Sequence, residues 1–401
     1  KEKLKISGGI SPVTGRLMAE GPLGKSKTTF ILGSRATYSD WLLGMLDDYR
    51  LSQSSAGFYD IQGLIKTEVN EKNNITVSGY FSDDKFNYNN ERAFGYGSLA
   101  ATLKWTHVFS KKLTARYFYI ISNYRFRLDS DPDSTLSSTM NYRLNQNILR
   151  AEFQYFQSEK HKFEFGFDGV FYSLMPGVMN PVGDYSVILP KKLEKERAVE
   201  PSLYFTDEYE VTPLLSLTAG IRGSLFTSFG PGTERNYQNG LTKSAESIIG
   251  TTEYKSGEII KMYPGLDYRF SARLIIAPRL SVKVGAQRLH QYIHMISNTV
   301  SMSPTDVWKL SNRYFRPQTS DQVSVGLYHT FGKKAIEISA ETYFKHLKNI
   351  HDYKGGASLI MNEHLETDVI SGKGKAYGIE LLISKPTGTI SGWIGYSYSR
   401  T

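Results

Sequence analysis

The sequence predicts an all-β chain that forms a transmembrane antiparallel up-and-down β-barrel. Side chains alternate apolar and polar with period two in segment after segment. Short turns and long polar stretches take turns as connections. No run of about 18 or more apolar residues is present to cross a membrane as a helix. Composition agrees. Only 40% of the 401 residues are hydrophobic, yet there are 27 Tyr and 21 Phe, 35 Gly and no Cys. Tyr and Phe suit strands, and Tyr also suits membrane interfaces. A chain without thiols suits passage through an oxidising periplasm. The net charge of +9 is scattered through strands and turns, so the basic patch that nucleic acid requires is absent.

The alternation reads as follows. Phe163, Phe165, Phe167 and Phe171 oppose Glu164, Gly166 and Asp168. Leu266, Tyr268, Phe270, Ala272 and Leu274 oppose Asp267, Arg269, Ser271 and Arg273; Leu280, Val282, Val284 and Ala286 oppose Ser281, Lys283, Gly285 and Gln287. From Ala335 onward, Ile336, Ile338, Ala340, Thr342 and Phe344 oppose Glu337, Ser339, Glu341 and Tyr343. A helix cannot present such rows, because its faces recur every 3.6 residues. The apolar rows carry no charge, as a lipid-facing surface demands, since Lys or Arg at the midplane costs roughly 2–4 kcal/mol.

Short turns fall near Gly24–Ser26, Asn70–Asn74, Ser110–Lys112, Ser158–Lys160, Val211–Pro213, Ala277–Arg279, Gly332–Lys334 and Pro386–Gly388. Polar stretches fall at 37–55, 83–95, 125–140, 174–195, 228–262, 289–318 and 346–372. The rhythm predicts about 17 strands, many of about ten residues, the length a tilted strand needs to cross a bilayer. A soluble β-propeller is the structural rival, but its blades need four short strands per period rather than two long strands and a loop. An odd strand count does not complete an ordinary bacterial barrel. The opening KEKLKISGG lacks a signal peptide and YSYSRT stops inside a strand pattern, so residues 1–401 read as part of a longer barrel.

Motifs of other chemistry favour plain readings. AEGPLGKS at 19–26 satisfies a relaxed phosphate loop, but a strand follows where a helix would have to start, and Pro22 removes a donor. DSDPDS at 129–134 lacks the glycine and distal glutamate of a calcium loop. His290 and His294 would share a face of one continuing strand but sit two pleats apart. No Gly-x-Ser-x-Gly elbow or Cys nucleophile occurs, and His107 and His329 read as interfacial residues, so neither enzyme nor cofactor is predicted. The candidate ligand-binding residues are the lumen-facing Arg269, Arg273 and Lys283, with Glu337 and Glu341, and the loop aromatics Tyr237, Tyr254, Trp308 and Tyr314. The charges read equally as a wet barrel interior and the aromatics as loop packing.

Five segments together carry a family resemblance. They are ISGGISPVTGRLMAEGPLGKSKTTFILGSRATYSDWLL, RFSARLIIAPRLSVKVGAQRLHQYIHMISNT, RYFRPQTSDQVSVGLYHTF with its Pro-Gln-x-Ser-Asp strand start, ETYFKHLKNIHDYKGGASL, and GKGKAYGIELLISKPTGTISGWIGYSYSRT. In that order they resemble the barrel of TonB-dependent receptors of Bacteroidota over nearly the whole chain. The resemblance implies a bacterial outer-membrane barrel of about 22 strands filled by an N-terminal plug. It also implies an extracellular ligand (siderophore, vitamin, glycan or peptide), import driven through the TonB complex, and outer-membrane lipids as surroundings. The glycan-uptake branch adds a surface lipoprotein over the loops. Plug, TonB box and final aromatic-ended strands have no counterpart in residues 1–401. A passive porin or surface adhesin on the same scaffold is the alternative function.

Overall fold

The computed structural model describes residues 3–24, 27–89, 91–131, 134–296, 307–332 and 336–401. The chain runs through β1 (Lys5–Ile10), β2 (Thr14–Pro22), β3 (Thr28–Thr37), β4 (Ser55–Asn70), β5 (Asn73–Tyr88) and β6 (Arg92–Val108). It continues through β7 (Leu113–Ser130), β8 (Ser138–Phe156), β9 (His161–Pro181), the two-residue β10 (Lys191–Lys192), β11 (Glu196–Thr212) and β12 (Leu215–Phe229). A hairpin of β13 (Gly232–Tyr237) and β14 (Ile248–Tyr254) precedes β15 (Ile259–Ala277) and β16 (Leu280–Gln291). A second, β17 (Ile293–Ile296) with β18 (Val307–Leu310), precedes β19 (Gln318–Phe331), β20 (Ile336–Tyr353), β21 (Val369–Lys385) and β22 (Gly392–Arg400). Among the described residues, no helix is long and apolar enough to cross a membrane.

All these strands except the two loop hairpins join one 18-stranded sheet. Setting aside β10, which only extends the end of β9, seventeen strands form a meander in which each pairs antiparallel with its neighbours in sequence. The expected strand number is therefore met. Among the described residues, the outer edges of β1 and β22 carry no strand partner.

The register explains the alternation. One row crosses eight strands: Tyr209–Leu217–Ala272–Val284–Val325–Thr342–Ile379–Tyr398. Another crosses Phe30–Ile65–Val77–Leu103–Tyr119–Leu149. Most of these side chains are exposed although nearly all are apolar, an arrangement that only a lipid surround makes favourable. Thr342 turns its hydroxyl back to the Gly378 carbonyl at 3.0 Å, so this outer row shows lipid no free donor there.

The opposite face is polar and concave. Its side chains bridge strands that are not neighbours: Arg222 of β12, opposite Tyr204 in register, reaches diagonally across β11 to Asp168 of β9, whose own β11 partner is the small Ser202. One inner row reads Ser216–Arg273–Lys283–Gly326–Glu341–Glu380.

Two expectations need correction. The strands are longer than about ten residues: β8 and β15 have 19 and β9 has 21. That is roughly 70 Å of chain for β9, against a hydrocarbon core of about 30 Å. The segment 83–95 is not a long loop either, because β5 and β6 pair through it and only 89–91 lies between them. Both errors have one cause. Beyond the bilayer both sheet faces meet water, so strands continue without an apolar row to mark them. The phosphate-loop segment is the β2–β3 turn, with Gly24 at φ +64°; its Lys25 and Ser26, Pro132 and Asp133 of DSDPDS, and Lys333–Ala335 after Gly332 lie outside the described residues.

Replacing Val325 on the outer row by Lys is expected to cost roughly 2–4 kcal/mol, whereas Lys at the inner-facing Gln322 changes little. Urea-dependent folding into phosphatidylcholine vesicles measures both. Equal costs would contradict the assignment of faces.

Candidate functional site

At the long-loop end, the connections fold inward onto the concave face. Phe126, Tyr142, Leu144, Tyr172, Leu174 and Phe226 of the strands form one buried cluster with Leu193, Tyr292, Leu310 and Met361 from the connections. The β17–β18 hairpin is fastened to the wall by an ion pair. Lys309 Nζ donates to Glu196 Oε1 at 2.6 Å, and the Leu310 N–H donates to Glu196 Oε2 at 3.0 Å. Burial works to lower the Lys309 ammonium, but the charge and hydrogen bond of Glu196 outweigh it and hold the group above its usual value. The second half of the cap packs Ile296, Val307 and Phe315 on Leu359 and Leu365.

Between loops and wall lies a cavity of about 560 Å³, lined by charged groups including Glu196, Arg197, Glu234, Lys309 and His364 and by the Tyr314 ring. Glu234 is 8% exposed, and neither carboxylate oxygen has a hydrogen-bond partner of good geometry. Burial raises its carboxyl above the usual range against the pull of Arg313. Arg197 Nη1, on the same cavity, is also buried and unpaired. Buried polar atoms without a hydrogen bond are costly unless something polar meets them.

Below the cap, the inner wall carries an ion-pair lattice. Asp168, 1% exposed, accepts from Arg150 and Arg222 through its two oxygens. Glu200 accepts from the Tyr172 hydroxyl at 2.7 Å, and His290 Nδ1 meets Asp267 at 2.6 Å. The charges of this lattice satisfy one another within the wall.

The expected site residues separate into two groups. Tyr314 lines the cavity, its hydroxyl bonded to the Arg235 carbonyl and its ring meeting Tyr237 edge-on at 5.7 Å. Tyr237 donates to Glu366 at 2.8 Å, Trp308 packs on the buried cluster, and Tyr254 sits opposite Gly232 at the base of its hairpin. These three hold the loops around the cavity. Arg273 and Lys283 pair in register near the short Ala277–Leu280 turn, and Arg269 lies two pleats above Arg273 on the same face. They face the bore far below the cap.

His290 and His294 part company, because β16 ends at Gln291 and β17 belongs to another sheet. His294 is fully buried, bonded through Nε2 to Ser311 at 2.8 Å, with His351 edge-on at 4.6 Å. Burial, with His351 beside it, pushes His294 down to about 3. The sequence reading missed Glu196, Glu234 and the Asp168 lattice. Alternation does place Asp168 on the wet face, but nothing local marks its partners.

Fold, outward apolar girdle and capped polar bore define the wall of a membrane β-barrel. The family model described as TonB dependent receptor-like, beta-barrel matches residues 26–401, and the chain belongs to that family. Solved structures agree in fold. The copper transporter OprC has a TM-score of 0.68 at 10% identity, covering 100% of this chain and 63% of that one. The ferric preacinetobactin receptor BauA from Acinetobacter baumannii has 0.66 at 11%, covering 100% and 62%. The Serratia marcescens hemophore receptor HasR, solved with its hemophore HasA and heme, has 0.64 at 10%, covering 99% and 62%. This chain thus spans less than two thirds of these structures. No curated protein sequence matches it. The barrel belongs to the bacterial outer membrane.

Two outcomes are expected. Asp168→Asn leaves two arginines facing a neutral amide and destabilises by about 3 kcal/mol or more, measured by chemical unfolding. A histidine whose folded value lies below its unfolded one stabilises above pH 6.5 and loses that contribution as pH falls toward 3. Amide exchange at Ile293–Ile296 is therefore expected to accelerate as pH drops below about 6.5, by up to roughly tenfold per pH unit after correction for intrinsic exchange. His294→Gln, which has no such titration, should flatten the trend.

Proposed function

We propose that the chain is the ligand-capturing wall of an outer-membrane receptor that binds a scarce extracellular solute under its loops and imports it with TonB-coupled energy. The observation that carries this reading is the cap: loop hairpins fold onto the inner face and border a charged, partly open cavity of about 560 Å³. A porin needs an open path, and an adhesin needs no cavity beneath its loops. Tyr314, Glu234 and Arg197 meet the ligand first. Arg269, Arg273 and Lys283 lie deeper on the solute's route and face the plug.

The proposed receptor has parts beyond these strands. A bilayer tolerates no unpaired strand edge, so further strands join the free edges of β1 and β22. A lumen that wide needs a plug domain to prevent leakage, and the plug carries the contact to TonB. A siderophore, vitamin, glycan or peptide is the solute, and a surface lipoprotein is a partner of the loops if it is a glycan. The five segments that resemble Bacteroidota receptors support the receptor reading and do not choose among these solutes.

The test separates binding from energised uptake. Cells carrying the full receptor and offered labelled ferric siderophores, cobalamin, heme, glycans or peptides are expected to accumulate one class. Dissipating the proton-motive force should abolish accumulation and leave surface binding intact; uptake at an unchanged rate would identify a passive pore instead. Tyr314→Ala is expected to weaken binding by roughly tenfold, read by calorimetry on the purified receptor.

A further inference from the structure

The upper outer wall carries a second recess, on the face opposite the bore. Its place follows from register. Above the apolar rows on β5–β9 comes Phe81–Leu99–Asn123–Asn145–Ser173, then Asp83–Gly97–Arg125–Arg143–Met175, then Lys85–Gly95–Arg127–Asn141–Val178. Each step is two residues, roughly 7 Å. The charged rows therefore begin one pleat above Phe81 and Leu99, at the level where hydrocarbon gives way to headgroups.

These rows line a hollow of about 640 Å³ that Lys195 also borders. Gly95 and Gly97 leave its floor bare. A Cβ at Gly97 would fall 2.2 Å from Arg125 Nε, so the glycine lets Arg125 lie across β6 to Asp83 at 2.8 Å. Charge here does not balance. Lys85, Arg125, Arg127, Arg143 and Lys195 surround one carboxylate, Asp83, with Asp129 one row higher holding Arg127 at 2.8 Å. Lys85 lies 4.0 Å from Asp83 and is 80% exposed. No carboxylate among the described residues pairs with Arg143 or Lys195, and Arg143 stands directly opposite Arg125, an arrangement that costs stability without an anion between them. Elsewhere on the upper outer face the same problem is solved within the protein: Arg288 pairs with Asp321 at 2.6 and 3.0 Å.

We propose that this recess seats the phosphate headgroup of an anionic lipid of the outer leaflet. The rows below hold its acyl chains, and the guanidinium groups of Arg125, Arg127 and Arg143 offer the forked donors that phosphate oxygens accept. The site is independent of ligand capture, which takes place on the other face of the same strands.

Native mass spectrometry of the detergent-purified protein, titrated with phosphatidylglycerol or phosphatidylcholine, tests it. The expected result is selective retention of phosphatidylglycerol. Lys85→Gln with Arg143→Gln keeps the Arg125–Asp83 and Arg127–Asp129 pairs and should lower that retention by about fivefold for each charge removed. Lys111→Gln with Lys112→Gln, at the short-turn end, should leave it unchanged, and Arg143→Gln alone gives an intermediate value if the double variant folds poorly. Retention indifferent to the recess variants, or reduced equally by the short-turn pair, overturns the proposal. So does displacement of the lipid by millimolar inorganic phosphate, which would mark a site for a soluble anion.

Discussion

Within hydrocarbon, every backbone N–H and C=O must find its partner in an adjacent strand, because no water is present to replace one. That constraint makes this chain a meander. Each long strand has its neighbours in the sequence as its neighbours in space, joined at the short-turn end by connections such as 71–72 and 278–279. Once that ladder is fixed, period two assigns each side chain to lipid or to the bore. A slip of one residue in any strand would exchange the two. Val284, Val325 and Thr342 on the outer row, and Lys283, Gly326 and Glu341 on an inner one, are consequences of one register.

The two faces then meet different demands. Outside, a girdle can be built from many residues of similar polarity, and it tolerates variety: Thr342 serves beside Val325 and Ile379 because its hydroxyl is turned inward to a carbonyl. Inside, charges must be matched one by one in a confined space. Asp168 holds Arg150 from the adjacent β8 and Arg222 from β12, which comes diagonally across β11 from its place opposite Tyr204. The inner lattice is therefore more sensitive to single substitutions than the girdle is.

This asymmetry decides what could be read from the sequence. The rows at 266–274, 280–287 and 336–344 were legible because lipid imposes one simple rule on every second residue. The seventeen-strand meander follows from those rows and the turn signals between them. The ends of the strands were not legible, since Asp83 to Gly95 lie where both faces are wet and no row distinguishes strand from loop. Nor was the site. Lys309 and Glu196 stand 113 residues apart, and Arg197 and Glu234 share a cavity only after the β13–β14 and β17–β18 hairpins have folded into the mouth. No local pattern encodes such meetings.

Capping the bore also changes what the loops must do. Loops that only reached into water would need no buried ion pair, yet the β17–β18 hairpin is tied to the wall by Lys309 and Glu196, and its Leu310 joins Tyr292 and Phe226 in one buried cluster. Opening the mouth would expose this cluster and separate a charge pair, so the cap resists opening unless new contacts offset the loss. A solute that satisfied Glu234 and Arg197 would make such contacts in one state of the mouth and not in the other. Only a difference of that kind lets binding shift a conformational equilibrium. In the proposed receptor, Glu234 and Arg197 would be the groups through which occupancy is felt.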